Sequence, residues 1–213
     1  MVAIDGPAAS GKSSVAKEVS SRLGFSCVDS GAFYRAITWW ILRRNVDPGS
    51  ADKVSAVIAG IQLESGFEGD EVFLRIEGID AKSHLRDEEV NRSVSPVSAV
   101  PAVRRCLTDH LRELATQRDL VVVGRDIGSV VFPDTPFKFY IDAAREVRQQ
   151  RRIAEGQYDE IAMRDRIDSS RANAPLKIAH DAQLIDSTHL TVEGVVEEMI
   201  RQLAAKGLAI LRR

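Results

Sequence analysis

Gly6-Pro7-Ala8-Ala9-Ser10-Gly11-Lys12-Ser13-Ser14 stands between the short apolar run Val2-Ala3-Ile4 and the helix-like run Val15 to Leu23. The spacing G-x-x-x-x-G-K-[ST] between a strand and a helix is that of a phosphate-binding loop. Its glycines let the backbone curl so that successive N–H groups point at phosphate oxygens. The helix that follows presents the positive end of its dipole to the same anion. Lys12 is then placed to reach the β and γ phosphates of a nucleoside triphosphate, and Ser13 to ligate Mg²⁺. A Gly/Ser-rich turn that binds nothing is the competing explanation, and the strand before and helix after speak against it.

At 213 residues the chain holds one α/β core with room for small insertions, not two full domains. Charged residues make up 28% and the formal net charge is −2, so no global basic excess marks a nucleic-acid or membrane-surface binder. Cys27 and Cys106 lack C-x-x-C spacing and fit a reducing compartment, each as a small core hydrophobe. The N-terminus enters a strand with no leader-like segment, and no apolar run approaches the length of a membrane span. The expectation is a cytoplasmic monomer with neither a nucleic-acid nor a membrane partner.

Outward from the loop, Val15, Val19 and Leu23 form a helical stripe that Gly24 closes. Phe25 to Val28 reads as a strand, and Asp29-Ser30-Gly31 opens a second helix running to about Arg44, with Trp39 and Trp40 as packing residues. Ala51 to Ala59 reads as a short helix. Between Ile61 and Ala81 the pattern changes to alternation, with Val72, Leu74 and Ile76 on one face and glycines at 66, 69 and 78, the signals of antiparallel hairpins. Such strands lack crossover helices, which suggests a small mobile subdomain apart from the main sheet. Glu88 to Thr116 looks helical, interrupted near Pro96 and Pro101. Leu120 to Gly124 reads as a buried strand, Phe137 to Ile141 as another and Gln183 to Ile185 as a fifth core strand. Helices are expected from about Arg145, from about Tyr158 to Arg171, and from Val192 to about Ala205.

Polar residues gather where strands give way to helices, the edge at which open α/β sheets bind ligands. Asp142 follows a strand as a magnesium-holding carboxylate does, although capping the next helix explains it nearly as well. Asp126 competes for the same role, and spacing does not separate the two. Arg164, Asp168 and Arg171 fall on one helical face, either as a solvated ion pair or as part of a site. With Arg35, Arg104 and Arg125 near other strand-helix junctions, they suit a substrate carrying its own phosphate, because guanidinium groups fork onto phosphate oxygens. Arg145, Arg148 and Arg152 share a face flanked by Arg151. They form either a surface helix or a lid that clamps the transferring phosphoryl group and excludes water.

These stretches resemble the bacterial-type cytidylate kinases of the nucleoside-monophosphate kinase group. The likeness runs through Ile4-Asp5-Gly6-Pro7, Asp29-Ser30-Gly31-Ala32-Phe33-Tyr34-Arg35, Gly124-Arg125-Asp126-Ile127-Gly128 and Val131-Phe132-Pro133-Asp134. It continues through Arg164-Asp165-Arg166-Ile167-Asp168, Arg171-Ala172 and Ala182 to Thr188, and so spans nearly the whole chain. The resemblance implies an α/β fold of the P-loop NTPase type. Its three-layer core holds five parallel strands in the order 2-3-1-4-5, with a small antiparallel β insertion and a helical lid. One kinase domain would cover 1–213: core 1–48, 102–146 and 172–213, monophosphate-binding insertion about 49–101, lid about 147–171.

The reaction implied is transfer of the γ-phosphoryl group of ATP, with Mg²⁺, to CMP or dCMP. By the family's pattern Ser30, Ser95, Arg104 and Asp126 read the cytosine, with Tyr34 beside them. Arg35, Arg125 and Arg171 hold the acceptor phosphate, and Arg164 with Asp168 the sugar. Lys12, Arg125, Asp126, Arg151 and Arg152 are the catalytic candidates. The link from Arg152 to Arg164 is shorter than the lid of many relatives. Kinases for another monophosphate, and a nucleotide switch without an acceptor, are the alternatives. Against a guanine-reading switch, Asn45, Asn91 and Asn173 are followed by Val46, Arg92 and Ala174, so no N-K-x-D motif occurs.

Overall fold

The computed structural model describes residues 1–69, 71–154, 161–171 and 176–208, with side chains at 161–164 outside that description. Two compact units emerge: residues 1–28 with 118–213, and residues 29–117.

The first unit carries the main sheet. Its strands are β1 (Val2–Asp5), β2 (Ser26–Asp29, whose last residue belongs to the second unit), β6 (Leu120–Gly124), β7 (Lys138–Asp142) and β8 (Gln183–Asp186). They lie in the order β2-β6-β1-β7-β8, which in core-strand numbering is 2-3-1-4-5. β1 pairs in parallel with β6 and β7, with Asp5 opposite Gly124 and Tyr140, so its C-terminal end sits at the centre of the sheet. β1 and β6 are buried throughout, which is why they read as continuous apolar runs.

Helices α1 (Lys12–Leu23) and α8 (Val192–Ala205) cover one face. Val15, Val19 and Leu23 of α1 meet Val195, Val196, Met199 and Leu203 of α8 over Val2, Ile4, Val121, Val123, Phe139 and Ile141. Gly24 ends α1 with φ 69°, its N–H on Ser21 O and that of Phe25 on Ser20 O, a carbonyl-satisfying C-cap. The π-helical turn Ile127–Val131 and helices α6 (Arg145–Ala154) and α7 (Ile161–Ser170) complete the described helices of this unit.

The second unit contains α2 (Ser30–Arg43), α3 (Ala51–Ala59), the antiparallel sheet of β3 (Leu63–Glu68), β4 (Glu71–Ile76) and β5 (Ile79–Asp80), then α4 (Glu88–Ala99) and α5 (Pro101–Gln117). Glu77 and Gly78, both at positive φ, make the two-residue turn between β4 and β5, the geometry that matches strand twist. Trp39 and Trp40 are buried.

Two expectations need correction. The helix does not stop near Pro96: α4 runs through it, its buried Val90, Val94 and Val97 offsetting the missing backbone donor. The break falls at Val100, which is extended before Pro101, and Pro101 opens α5 where its absent N–H costs nothing. Neither cysteine is in a disulfide and both are only half-buried, Cys27 flanking the main core and Cys106 with its thiol pushed up by burial. Among the described residues no helix is long and apolar enough to cross a membrane.

Candidate active site

The loop after β1 folds as its glycines demand. Gly6 has φ +156°, and a Cβ there would lie 2.1 Å from the Ile141 carbonyl oxygen, so no side chain fits. Ala9 and Gly11 also take positive φ, curling the chain into α1. Lys12 opens that helix but is buried, its ammonium donating to Pro7 O at 2.6 Å across the loop. Ser13 and Ser14 in the same turn are exposed. Ser10 is fully buried and its carbonyl accepts from Ser187 Oγ at 3.1 Å.

Three arginines of α6 divide as periodicity alone could not show. Arg145 faces solvent, whereas Arg148 and Arg152 are buried, which rules out a plain surface helix. Arg148 donates to Ala143 O at 3.0 Å, to Ala8 O at 3.2 Å and to the Asp165 carboxylate at 2.5 Å. Asp165, on α7, also accepts from the Ala8 N–H at 3.2 Å. A carboxylate oxygen thus uses a loop N–H of the kind that binds phosphate. Arg151 donates to Ser187 Oγ at 3.1 Å and Ser187 O at 2.8 Å, so Ser187 joins this arginine to the loop.

Asp168 is 4% exposed, and its two oxygens accept from Arg125 Nε at 3.0 Å and from Arg171 Nη2. The solvated-face explanation for this trio therefore fails at Asp168 and Arg171, which form a buried bidentate cluster with an arginine of another element. The Arg164 side chain lies outside the described residues. Asp126 is buried at the start of a π-helical turn, Ile127–Val131. Asp142 accepts from the Ala143 N–H at 2.8 Å and lies 3.9 Å from Arg148; because Ala143 precedes α6, that bond does not cap the helix.

The second unit holds its own set. Asp29 caps α2 through Gly31 N at 2.9 Å, placing Ser30, Tyr34 and Arg35 on successive turns. Arg104 of α5 lies over the Tyr34 ring at 5.4 Å and donates to Ser98 O at 3.2 Å, while Ser98 Oγ donates to the carbonyl of Ser95. Ser30, Ser95 and Arg104 are all buried polar groups on packed helices.

Some functional candidates were missed by the sequence reading. Asp5, Asp165 and Ser187 gave no signal beyond lying inside motifs, and Arg148 was one of four equivalent arginines.

The profile of the family described as cytidylate kinase matches residues 2–205. The chain belongs to the cytidylate kinase family. It is 39% identical to the cytidylate kinase of Streptomyces griseus over 98% of this chain and 94% of the relative. It is 40% identical to that of Caldanaerobacter subterraneus over 93% of this chain and 92% of the relative. A solved structure, of an uncharacterized protein from Eubacterium ventriosum, aligns with TM-score 0.51 at 11% identity over 96% of this chain and 98% of that one, a likeness of fold alone. As a member of the cytidylate kinase family the chain is an ATP-dependent kinase that phosphorylates CMP.

Proposed function

We propose that this kinase accepts dCMP as well as CMP, works with Mg²⁺-bound ATP, and acts as a cytoplasmic monomer. The observation that carries the residue assignments is α7, which touches the phosphate loop through Asp165 and the arginine of the Gly124-Arg125-Asp126 motif through Asp168. These contacts support a reading in which donor-phosphate and acceptor-phosphate chemistry meet beside one helix of one unit. In this reading the loop from Gly6 to Ser14 binds ATP, Lys12 neutralises charge on the β and γ phosphates, and Arg125 with Arg171 holds the CMP phosphate. Asp168, with Arg164, serves the sugar. Ser30, Tyr34, Arg35, Ser95 and Arg104 are acceptor-binding residues of the second unit, and Asp126 reads the cytosine amino group. Arg148, Arg151 and Arg152 supply lid charge.

The acceptor phosphate arrives with an ionised oxygen, so no strong general base is required. That oxygen forms the new bond to phosphorus as the bond to the ADP oxygen breaks, and catalysis consists of positioning and charge neutralisation. Mg²⁺ fits the exposed Ser13 hydroxyl at the helix start, a hard oxygen donor. Among the described residues no cluster of acidic, His or Cys ligands forms a separate cage, in keeping with an ion held mostly by substrate phosphates and water. When bound, the ion offsets phosphate charge.

Initial rates with ATP and CMP, dCMP, UMP or AMP, with and without added Mg²⁺, test the proposal. Rapid turnover of CMP and dCMP with weak use of UMP and AMP is expected. Slow turnover indifferent to the acceptor would instead indicate a nucleotide switch.

A further inference from the structure

Asp5 is the last residue of β1, immediately before the phosphate loop, and is 4% exposed. Its Oδ1 accepts from the Ile127 N–H and its Oδ2 from the Gly128 N–H, each at 2.7 Å. Those are first-turn donors of the π-helical turn that follows Asp126, groups with no partner inside their own turn. An aspartate in the position of Asp126 ordinarily caps such donors itself. Here it does not: the side chain of Asp126 makes no capping bond to that turn. The capping carboxylate comes instead from a residue 122 positions away in sequence.

Close approach is built in on both sides. A Cβ on Gly128 would stand 3.1 Å from Lys138 Cγ and 3.2 Å from Lys138 Cδ, tighter than a packed neighbour allows without giving way, and 3.4 Å from Asp5 Oδ2, the near edge of ordinary contact. On the other side, register sets Asp5 opposite Gly124, so the strand end that carries it lies directly beside the strand end that carries Arg125 and Asp126.

We propose that Asp5 is a positioning residue for acceptor recognition, its two oxygens fixing the turn on which Arg125 and Asp126 stand and tying that turn to the phosphate loop. This rests on the acceptor roles proposed for Arg125 and Asp126. A buried carboxylate is a costly way to satisfy two N–H groups, and burial does push the Asp5 carboxyl up to about 6 even though both N–H groups pull it down. An arrangement of that cost does more than cap, because it frees the geometry of Asp126 from the demands of its own turn. It also makes the donor loop and the acceptor motif neighbours through one side chain.

The test is steady-state kinetics of Asp5→Asn and Gly128→Ala with CMP and UMP, beside the core variant Val121→Ala as a stability control. An asparagine offers one oxygen and turns an NH₂ toward the other N–H, and an alanine at 128, crowded against Lys138, displaces the turn relative to Asp5 without altering charge. Expected in both is a rise of about tenfold or more in KM for CMP, the size of one lost charge-assisted contact, with KM for ATP within about twofold. The CMP to UMP ratio of kcat/KM narrows, and amide exchange at Ile127 and Gly128 accelerates in Asp5→Asn. Val121→Ala lowers Tm while leaving KM for CMP and the ratio unchanged. If Asp5→Asn and Gly128→Ala behave like Val121→Ala, Asp5 is a structural cap and the proposal is overturned. Should Asp5→Asn not fold, Gly128→Ala decides alone. Asp126→Ala run in parallel tests the underlying base-reading role. An unchanged CMP to UMP ratio there removes that role from Asp126, while a selective rise in KM for CMP in Asp5→Asn still supports positioning through Arg125.

Discussion

Lys12 shows how a single side chain can be buried and still serve chemistry. Its ammonium sits on Pro7 O at 2.6 Å, a local partner that holds the long side chain over the loop it serves. Lys12→Ala removes a polar contact to a loop carbonyl rather than an apolar core side chain, so the fold should persist. Removal of one transition-state charge donor costs about 10²–10³-fold in kcat or more. Near-normal turnover in a single-turnover assay would remove the phosphate-loop assignment. Asp5 makes a prediction in pH. Its carboxyl rests at about 6 in the fold against an ordinary 3.8, so between those values the folded state binds more protons than the unfolded chain. Stability attached to this group is therefore greatest below about pH 4 and is lost as pH rises through about 6, by up to about 3 kcal/mol. Asp181, Asp186 and Glu198, held low by Lys138, Thr188 and Arg201, slope the other way at lower pH. Urea unfolding of wild type minus Asp5→Asn isolates the Asp5 part, which should decline from pH 4 to 6.5. A difference independent of pH would mean that Asp5 stays ionised throughout.

At the scale of the element, α7 explains more than its short span suggests, because its two carboxylates face different partners. Asp168 bonds Arg125 and Arg171 in a nearly dry cluster. Arg171→Ala should cost about 1–3 kcal/mol, as a buried acceptor keeps one of its two cationic partners. CMP affinity should fall about tenfold or more while ATP affinity holds. Lower Tm with unchanged CMP affinity by calorimetry would leave Arg171 as a structural clip. Asp165 holds the Ala8 N–H and Arg148, both of which the ATP phosphates call upon in the proposed site. Asp165→Ala should tighten ATP binding by about three- to tenfold, the worth of one intramolecular hydrogen bond no longer competing. Weaker ATP binding in the variant would show that Asp165 orients Arg148 for the nucleotide.

For the whole molecule, ligand linkage gives the cleanest readout of what the site accepts. A ligand that binds only the folded state at about 100 times its Kd adds about 2.7 kcal/mol to stability. CMP should therefore raise Tm by several degrees and UMP by almost none. Cytosine donates from its 4-amino group where uracil presents a carbonyl, and a buried carboxylate rejects the latter. Equal shifts with both nucleotides would deny Asp126 the base-reading role.

The sequence by itself determined the phosphate loop, the five core strands, the hairpin stretch and the α/β class, because each is written in short-range spacing. Glycines occupy the curled loop, β-branched runs the buried strands, and an i, i+4 stripe marks α1. Motif likeness carried the family as well. Which arginines of α6 are buried, and what Asp168 faces, were not legible there, since Arg145, Arg148, Arg151 and Arg152 are chemically alike and lie within about two turns of one another. Likewise, nothing local distinguishes Pro96, tolerated inside α4, from Pro101, which opens α5; the packing of Val90, Val94 and Val97 decides. Asp5 is the clearest case. Its role depends on parallel pairing that sets it opposite Gly124, and a hydrogen bond across 122 positions leaves no periodic trace in the chain.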